Sequence, residues 1–158
     1  PDPLERIVRT FDAVAFRQAA LMLDQMNATR LAALTPPEQA QKLSAQAKGY
    51  LDRGLLLEAE RLYQSAIAAD GHAAGAHAGL ALVRERAGDA AGAREEAHAA
   101  LELSPSADAY LVLCRLDMAE NRLSEAGKDA GEALKLDPAS QAARELLRQV
   151  EKRTGQSK

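Results

Sequence analysis

The 158-residue chain is 47% apolar yet only 3% aromatic, with no Trp, and alanine supplies much of the apolar content; that composition favours closely approached helices over a core of large side chains. A formal net charge of −3 with 27% charged residues lacks the basic footprint of a nucleic-acid binder. One cysteine, Cys114, excludes an intrachain disulfide framework and leaves the redox compartment open.

Neither an eighteen-residue uncharged apolar run nor a basic-then-apolar leader occurs, so the segment reads as soluble with no membrane insertion of its own. It starts at Pro1 and ends in Thr-Gly-Gln-Ser-Lys, which suggests a piece of a larger polypeptide and leaves the cellular compartment open.

Residues 1–34 read as a non-repeat helical segment, free of Gly and of interior Pro from about Leu4 to Leu34. Asp2 before Pro3 is a plausible start, and Asp12 a second cap if the helix breaks near Thr10. Helical spacing places Phe11, Ala15, Ala19, Met22 and Met26 on one side, continued by Leu4, Ile7 and Val8 and widened by Phe16, Leu23 and Leu34. Val14 and Leu21 fall nearly opposite, so the helix presents two apolar sides. One reading has it cap the first unit of an array; the alternative is self-assembly, a homodimer through residues 11–34.

Thr35-Pro36-Pro37-Glu38 forms a boundary, with the spacing of a capping box and Pro at the first helical position. The following helix runs to about Asp52, and Gly54 ends it through the left-handed conformation. Three versions of one helix come next. They open at Gly54, Gly88 and Asn121, 34 and then 33 residues apart, a period that belongs to stacked helical hairpins. Helix pairs are expected near 36–52 with 56–70, 74–87 with 90–103, and 107–120 with 123–136. Residues 139–158 supply a last helix, about 139–153, and a short tail. Its face of Ala142, Ala143, Leu146, Leu147 and Val150 backs onto charged residues, as a terminal cap should.

These repeated residues resemble the tetratricopeptide repeat (TPR) family from about Ala40 to Pro138 and through the final helix. The family's small residue in each first helix falls on Ala47, Ala81 and Cys114. Its second-helix alanines fall on Ala59, Ala93 and Ala126, and again on Ala66, Ala100 and Ala133. Gly71, Pro105 and Pro138 close the repeats. The resemblance implies an all-α fold, an α-solenoid of three repeats over 35–138 (about 40–73, 74–106 and 107–138). Departures are plain: the early aromatic is Leu43, His77 and Tyr110, the following tyrosine is Tyr50, Arg84 and Asp117, and the second-helix aromatic survives only as Tyr63, with Ala97 and Ala130 in the later copies.

The family's first helices line a concave surface. The positions implied here are Gln41, Ser44, Ala45, Lys48 and Asp52, then Gly75, Ala78, Gly79, Leu82 and Arg86, then Asp108, Leu111, Val112, Arg115 and Met118. The residues expected to meet a partner are Lys48, Asp52, Leu82, Arg86, Leu111, Arg115 and Met118. Lys48, Arg86 and Arg115 around a shallow apolar middle suggest a protein or peptide partner with apolar anchors and an acidic group. The five-residue clamp with which some family members grip acidic chaperone tails maps onto Ser44, Lys48, Gly79, Asp108 and Val112 and is absent, which argues against that ligand.

Catalysis finds no support. His72, His77 and His98 lack metal-ligand spacing, and Cys114 occupies a packing position. Glu95 and Glu96 point about 100° apart on a helix, and the Gly71–Gly79 stretch lacks the Lys and Ser/Thr of a phosphate loop. No catalytic residue, metal or cofactor is expected, and the function expected is a non-catalytic protein-protein interaction module or scaffold.

Overall fold

A computed structural model describes the backbone of residues 3–155 and the side chains of residues 14–155. Within them lie eight helices, α1 (Pro3–Ala32), α2 (Pro36–Asp52), α3 (Leu56–Ala69), α4 (Ala74–Arg86), α5 (Ala90–Leu103), α6 (Ala107–Ala119), α7 (Leu123–Leu136) and α8 (Gln141–Gly155). They divide into two compact units, Pro1–Thr35 and Pro36–Lys158.

The first unit is α1. Its 30 residues are dominated by good helix formers, which close backbone hydrogen bonds within the helix whether or not a face is buried. On its two apolar sides Val14, Phe16, Leu21, Met22, Leu23 and Met26 are each more than half exposed. The side chains of Leu4, Ile7, Val8, Phe11 and Asp12, and all of Asp2, lie outside the described residues; the helix backbone runs through Thr10 and Asp12 without the break that a cap at Asp12 requires.

In the second unit, short connections make α2/α3, α4/α5 and α6/α7 antiparallel pairs. Each hairpin turn uses the same device. Gly54, Gly88 and Asn121 adopt positive φ, 76°, 84° and 59°, and the residue after each closes back across the helix end. The N–H of Leu55 donates to the Tyr50 carbonyl at 3.0 Å, that of Asp89 to Arg84 at 2.9 Å, and that of Arg122 to Asp117 at 2.7 Å. The following helices are capped where the sequence offers an oxygen: Asp89 accepts from the Gly92 N–H and Ser106 from the Ala109 N–H.

Packing follows the small residues. Ala47, Ala81 and Cys114, with Ala59, Ala93, Ala126, Ala66, Ala100 and Ala133, have no exposed surface at all, because helix axes this close leave room for little beyond a Cβ. Ala97 and Ala130 are equally buried, so the second and third pairs close through alanine where the first uses the ring of Tyr63. Side by side, α2 packs on α4, α4 on α6 and α6 on α8, which brings the first helix of every pair onto one face. The last helix buries Ala143 and Val150 and half-buries Leu146 and Leu147, while Ala142 is exposed. Arg153 Nη1 donates to the Met118 carbonyl at 3.0 Å, satisfying the carboxyl end of α6.

Candidate functional site

The first helices enclose a groove made of two adjoining cavities. One, about 560 Å³, is lined by Lys48, Leu51, Asp52, Leu82, Glu85, Arg86, Asp108, Leu111 and Arg115. The other, about 250 Å³, is lined by Ser44, Ala45, Lys48, Leu51, Tyr63, Gly75, Gly79, Leu82 and Asp108. Six of the seven expected contact residues, Lys48, Asp52, Leu82, Arg86, Leu111 and Arg115, therefore meet around one concavity.

Met118 is the exception and corrects the expectation. It is buried among Cys114, Ala126, Ala130 and Val150, because α8 lies over the carboxyl end of α6 and covers that position. The repeat itself carried the signal: offsets of 34 and 33 residues make Leu51, Glu85 and Met118 equivalent, and Leu51 is almost fully buried. Ala78 and Val112 are likewise buried in the array rather than displayed on the groove.

Three contributors escaped the sequence reading, among them Leu51, which lines both cavities. Tyr63 reaches the groove floor from α3, and only a glycine at position 79 allows it: a Cβ on Gly79 would overlap the ring at Cε1 and Cζ. Burial, followed by the nearby charges of Asp108 and Asp52, pushes the Tyr63 phenol up to about 12. Glu85 is the third. Its carboxylate receives a two-pronged bond from Arg115, Nε at 2.5 Å and Nη2 at 2.7 Å, across the α4–α6 seam.

The expected positive rim is corrected by these partners. Arg115 is matched by Glu85, and Lys48 by Asp52 at 3.2 Å in an exposed pair of one helix. Arg86 Nη1 donates to the Leu51 carbonyl at 3.0 Å, in the last turn of α2, where the helix dipole presents negative charge. Three cations face three carboxylates, Asp52, Glu85 and Asp108, so the groove carries no net charge. Side chains of opposite sign arrive from α2, α4 and α6 together, which cation positions alone do not reveal.

Elsewhere the titratable groups serve packing. His77 Nδ1 lies 2.7 Å from Glu96 Oε2, and Arg84 Nη1 lies 3.2 Å from Glu96 Oε1, which ties α4 to α5 as expected of a structural histidine. Cys114 is buried, and its thiol is pushed up to about 11 by burial, with Asp129 adding to the effect; this thiol is poorly suited to act as a nucleophile. Behind the groove, Asp117 Oδ1 receives Arg94 and Arg122, each at 2.7 Å. Asp129 faces the same spot and is pushed up to about 6 by burial first, then by the charge of Asp117 and a hydrogen bond to it. Among the described residues no group of three or more His, Cys, Asp or Glu is placed to hold a metal ion, and no helix is long and apolar enough to cross a membrane.

Paired helices closed by left-handed turns, a ladder of buried alanines and a common concave face define a helical-repeat scaffold with a groove. Comparison with solved structures makes the class specific. The chain is similar to the first TPR domain of human RPAP3, with 25% identity, a TM-score of 0.69, and coverage of 76% of this chain and 95% of that one. It is also similar to the first TPR of Spaghetti (RPAP3) bound to the HSP90 peptide SRMEEVD, with 24% identity, a TM-score of 0.68, and coverage of 75% and 95%. A third likeness is the Yersinia enterocolitica type III secretion chaperone SycD in complex with a peptide of the translocator YopD, with 14% identity, a TM-score of 0.63, and coverage of 74% and 95%. No family model matches, and no curated protein matches. The fold is that of a three-repeat tetratricopeptide-repeat solenoid.

Proposed function

We propose that this protein is a non-catalytic interaction module that holds a peptide or a helix of a partner protein in the groove lined by Lys48, Asp52, Leu82, Arg86, Leu111 and Arg115. The observation that carries the reading is the groove itself: apolar Leu51, Leu82 and Leu111 at its floor, polar side chains at its rim, and a volume that accepts side chains of an incoming chain. Peptide complexes among structures of the same fold support it, since the Spaghetti domain holds an HSP90 peptide and SycD a YopD peptide. The alternative, self-assembly through α1, has as its motive only the exposed apolar residues between Val14 and Met26 and finds no support in the comparisons.

The test is selection of peptides from a random twelve-residue display library on the full chain, followed by binding to Ala45→Trp. Ala45 is exposed and lines the smaller cavity, so a Trp there occludes the groove without entering the core. Selected peptides are expected to lose about tenfold or more in affinity, equivalent to about 1.4 kcal/mol. Binders that tolerate Ala45→Trp unchanged would place the interaction elsewhere and sink the assignment.

A further inference from the structure

Resting on the groove as the peptide site, we infer that its preferred ligand carries a basic residue, Lys or Arg, beside an apolar anchor, and that Asp108 receives that residue. The argument is one of charge already committed. Of the six formal charges lining the larger cavity, five are engaged within the protein. Glu85 and Arg115 satisfy each other bidentately, Lys48 and Asp52 form a neutral pair, and Arg86 caps the carboxyl end of α2 through the Leu51 carbonyl.

Asp108 is different. It lies in the first turn of α6, is exposed, lines both cavities and forms no salt bridge among the described residues. A cation whose field it shares, Arg115, is held in both prongs by Glu85. A ligand carboxylate would find no cation free of a protein hydrogen bond, Arg86 being held by the Leu51 carbonyl at the carboxyl end of α2, and would meet Asp108, whereas a ligand ammonium or guanidinium would find an open acceptor beside Leu82 and Leu111. Asp108 also reaches the groove floor electrostatically: after burial, it and Asp52 raise the Tyr63 phenol.

The complementary sign separates this groove from one that grips an acidic tail. The heptapeptide SRMEEVD, held by the Spaghetti domain, carries two Glu and one Asp against a single Arg and serves as the contrasting probe.

Twelve-residue peptides selected on the full chain are expected to place Lys or Arg next to Leu, Met, Ile or Phe. For the tightest of them, measured by fluorescence anisotropy, replacing the basic residue by Gln should weaken binding about 3- to 10-fold, the range for a charge-assisted contact in a partly hydrated site. Asp108→Asn should erase that difference, and Asp108→Lys should make the Glu-substituted peptide the tighter one. SRMEEVD should bind wild type more weakly than Asp108→Lys. Three results overturn the inference: selected peptides that are acidic, peptides whose basic residue is replaceable without loss, or SRMEEVD bound equally by wild type and Asp108→Lys. If in those cases Ala45→Trp still abolishes binding, only the charge preference has failed; if binding ignores Ala45→Trp, the groove assignment has failed with it.

Discussion

Neutralising Asp129 should stabilise the protein at neutral pH and do nothing at acid pH. Its carboxyl is raised from 3.8 to about 6 in the folded state, chiefly by burial, with the charge of Asp117 second. A folded state that holds the proton more tightly than the unfolded chain gains stability from it below about pH 4, and that gain is lost as pH rises through about 6. The shift of about two units sets a ceiling of about 3 kcal/mol at about 1.4 kcal/mol per unit, and solvent screening at a half-buried site reduces the expectation to about 1–2 kcal/mol. In urea titrations followed by circular dichroism, Asp129→Asn should exceed wild type by that amount near pH 7.5, and the two should converge near pH 4. Comparing the pair removes the opposing titration of the remaining carboxylates. A difference that stays constant with pH, or grows toward acid, would refute the reasoning.

Two further outcomes follow from the packing. Gly79→Ala should cost about 1–2 kcal/mol, since overlap with the Tyr63 ring outweighs the helix-propensity gain; combining it with Tyr63→Leu should recover most of the loss in thermal melts, and a neutral single variant would mean the ring has room to shift. Cys114, with a thiol about two units above its ordinary value, should react with iodoacetamide at least about a hundredfold more slowly in native protein than in urea, and equal rates would place the thiol in solvent.

The fold was legible because the repeat constrains backbone and packing together. The turn positions at 54, 88 and 121 and the nine buried small residues follow from spacing and side-chain size, both local properties. The groove was half legible for the same reason. Lys48, Leu82 and Arg115 are equivalent positions in successive repeats, so their convergence could be foreseen. What they would pair with could not, because Glu85 meets Arg115 from the neighbouring helix at a distance of thirty residues in sequence. Met118 was misplaced because a groove position in one repeat becomes a core position once the final helix covers it. The stripe on α1 is a different case, since amphipathic spacing specifies a helix without specifying what covers it.

The same register explains the odd chemistry behind the groove. Tyr50, Arg84 and Asp117 are equivalent, and so are Leu62, Glu96 and Asp129. Two of these equivalent pairs meet between the helices of a pair: Arg84 with Glu96 at 3.2 Å, and Asp117 with Asp129, whose charge is offset by Arg94 and Arg122 from outside the junction.

Within the array, helices touch only their immediate neighbours or the next but one. Such connectivity makes the array a short one-dimensional chain of coupled units rather than an indivisible block. Amide exchange should then be graded, slowest in α4 through α6 and fastest toward either end. Because the principal contacts join helices that are adjacent or next but one along the chain, assembly needs no distant loop to close first and should be quick. Asp108 and Arg115 stand on α6, one of the helices expected to exchange slowest, so the acceptor proposed to read a ligand's charge rests on the part of the scaffold expected to open last.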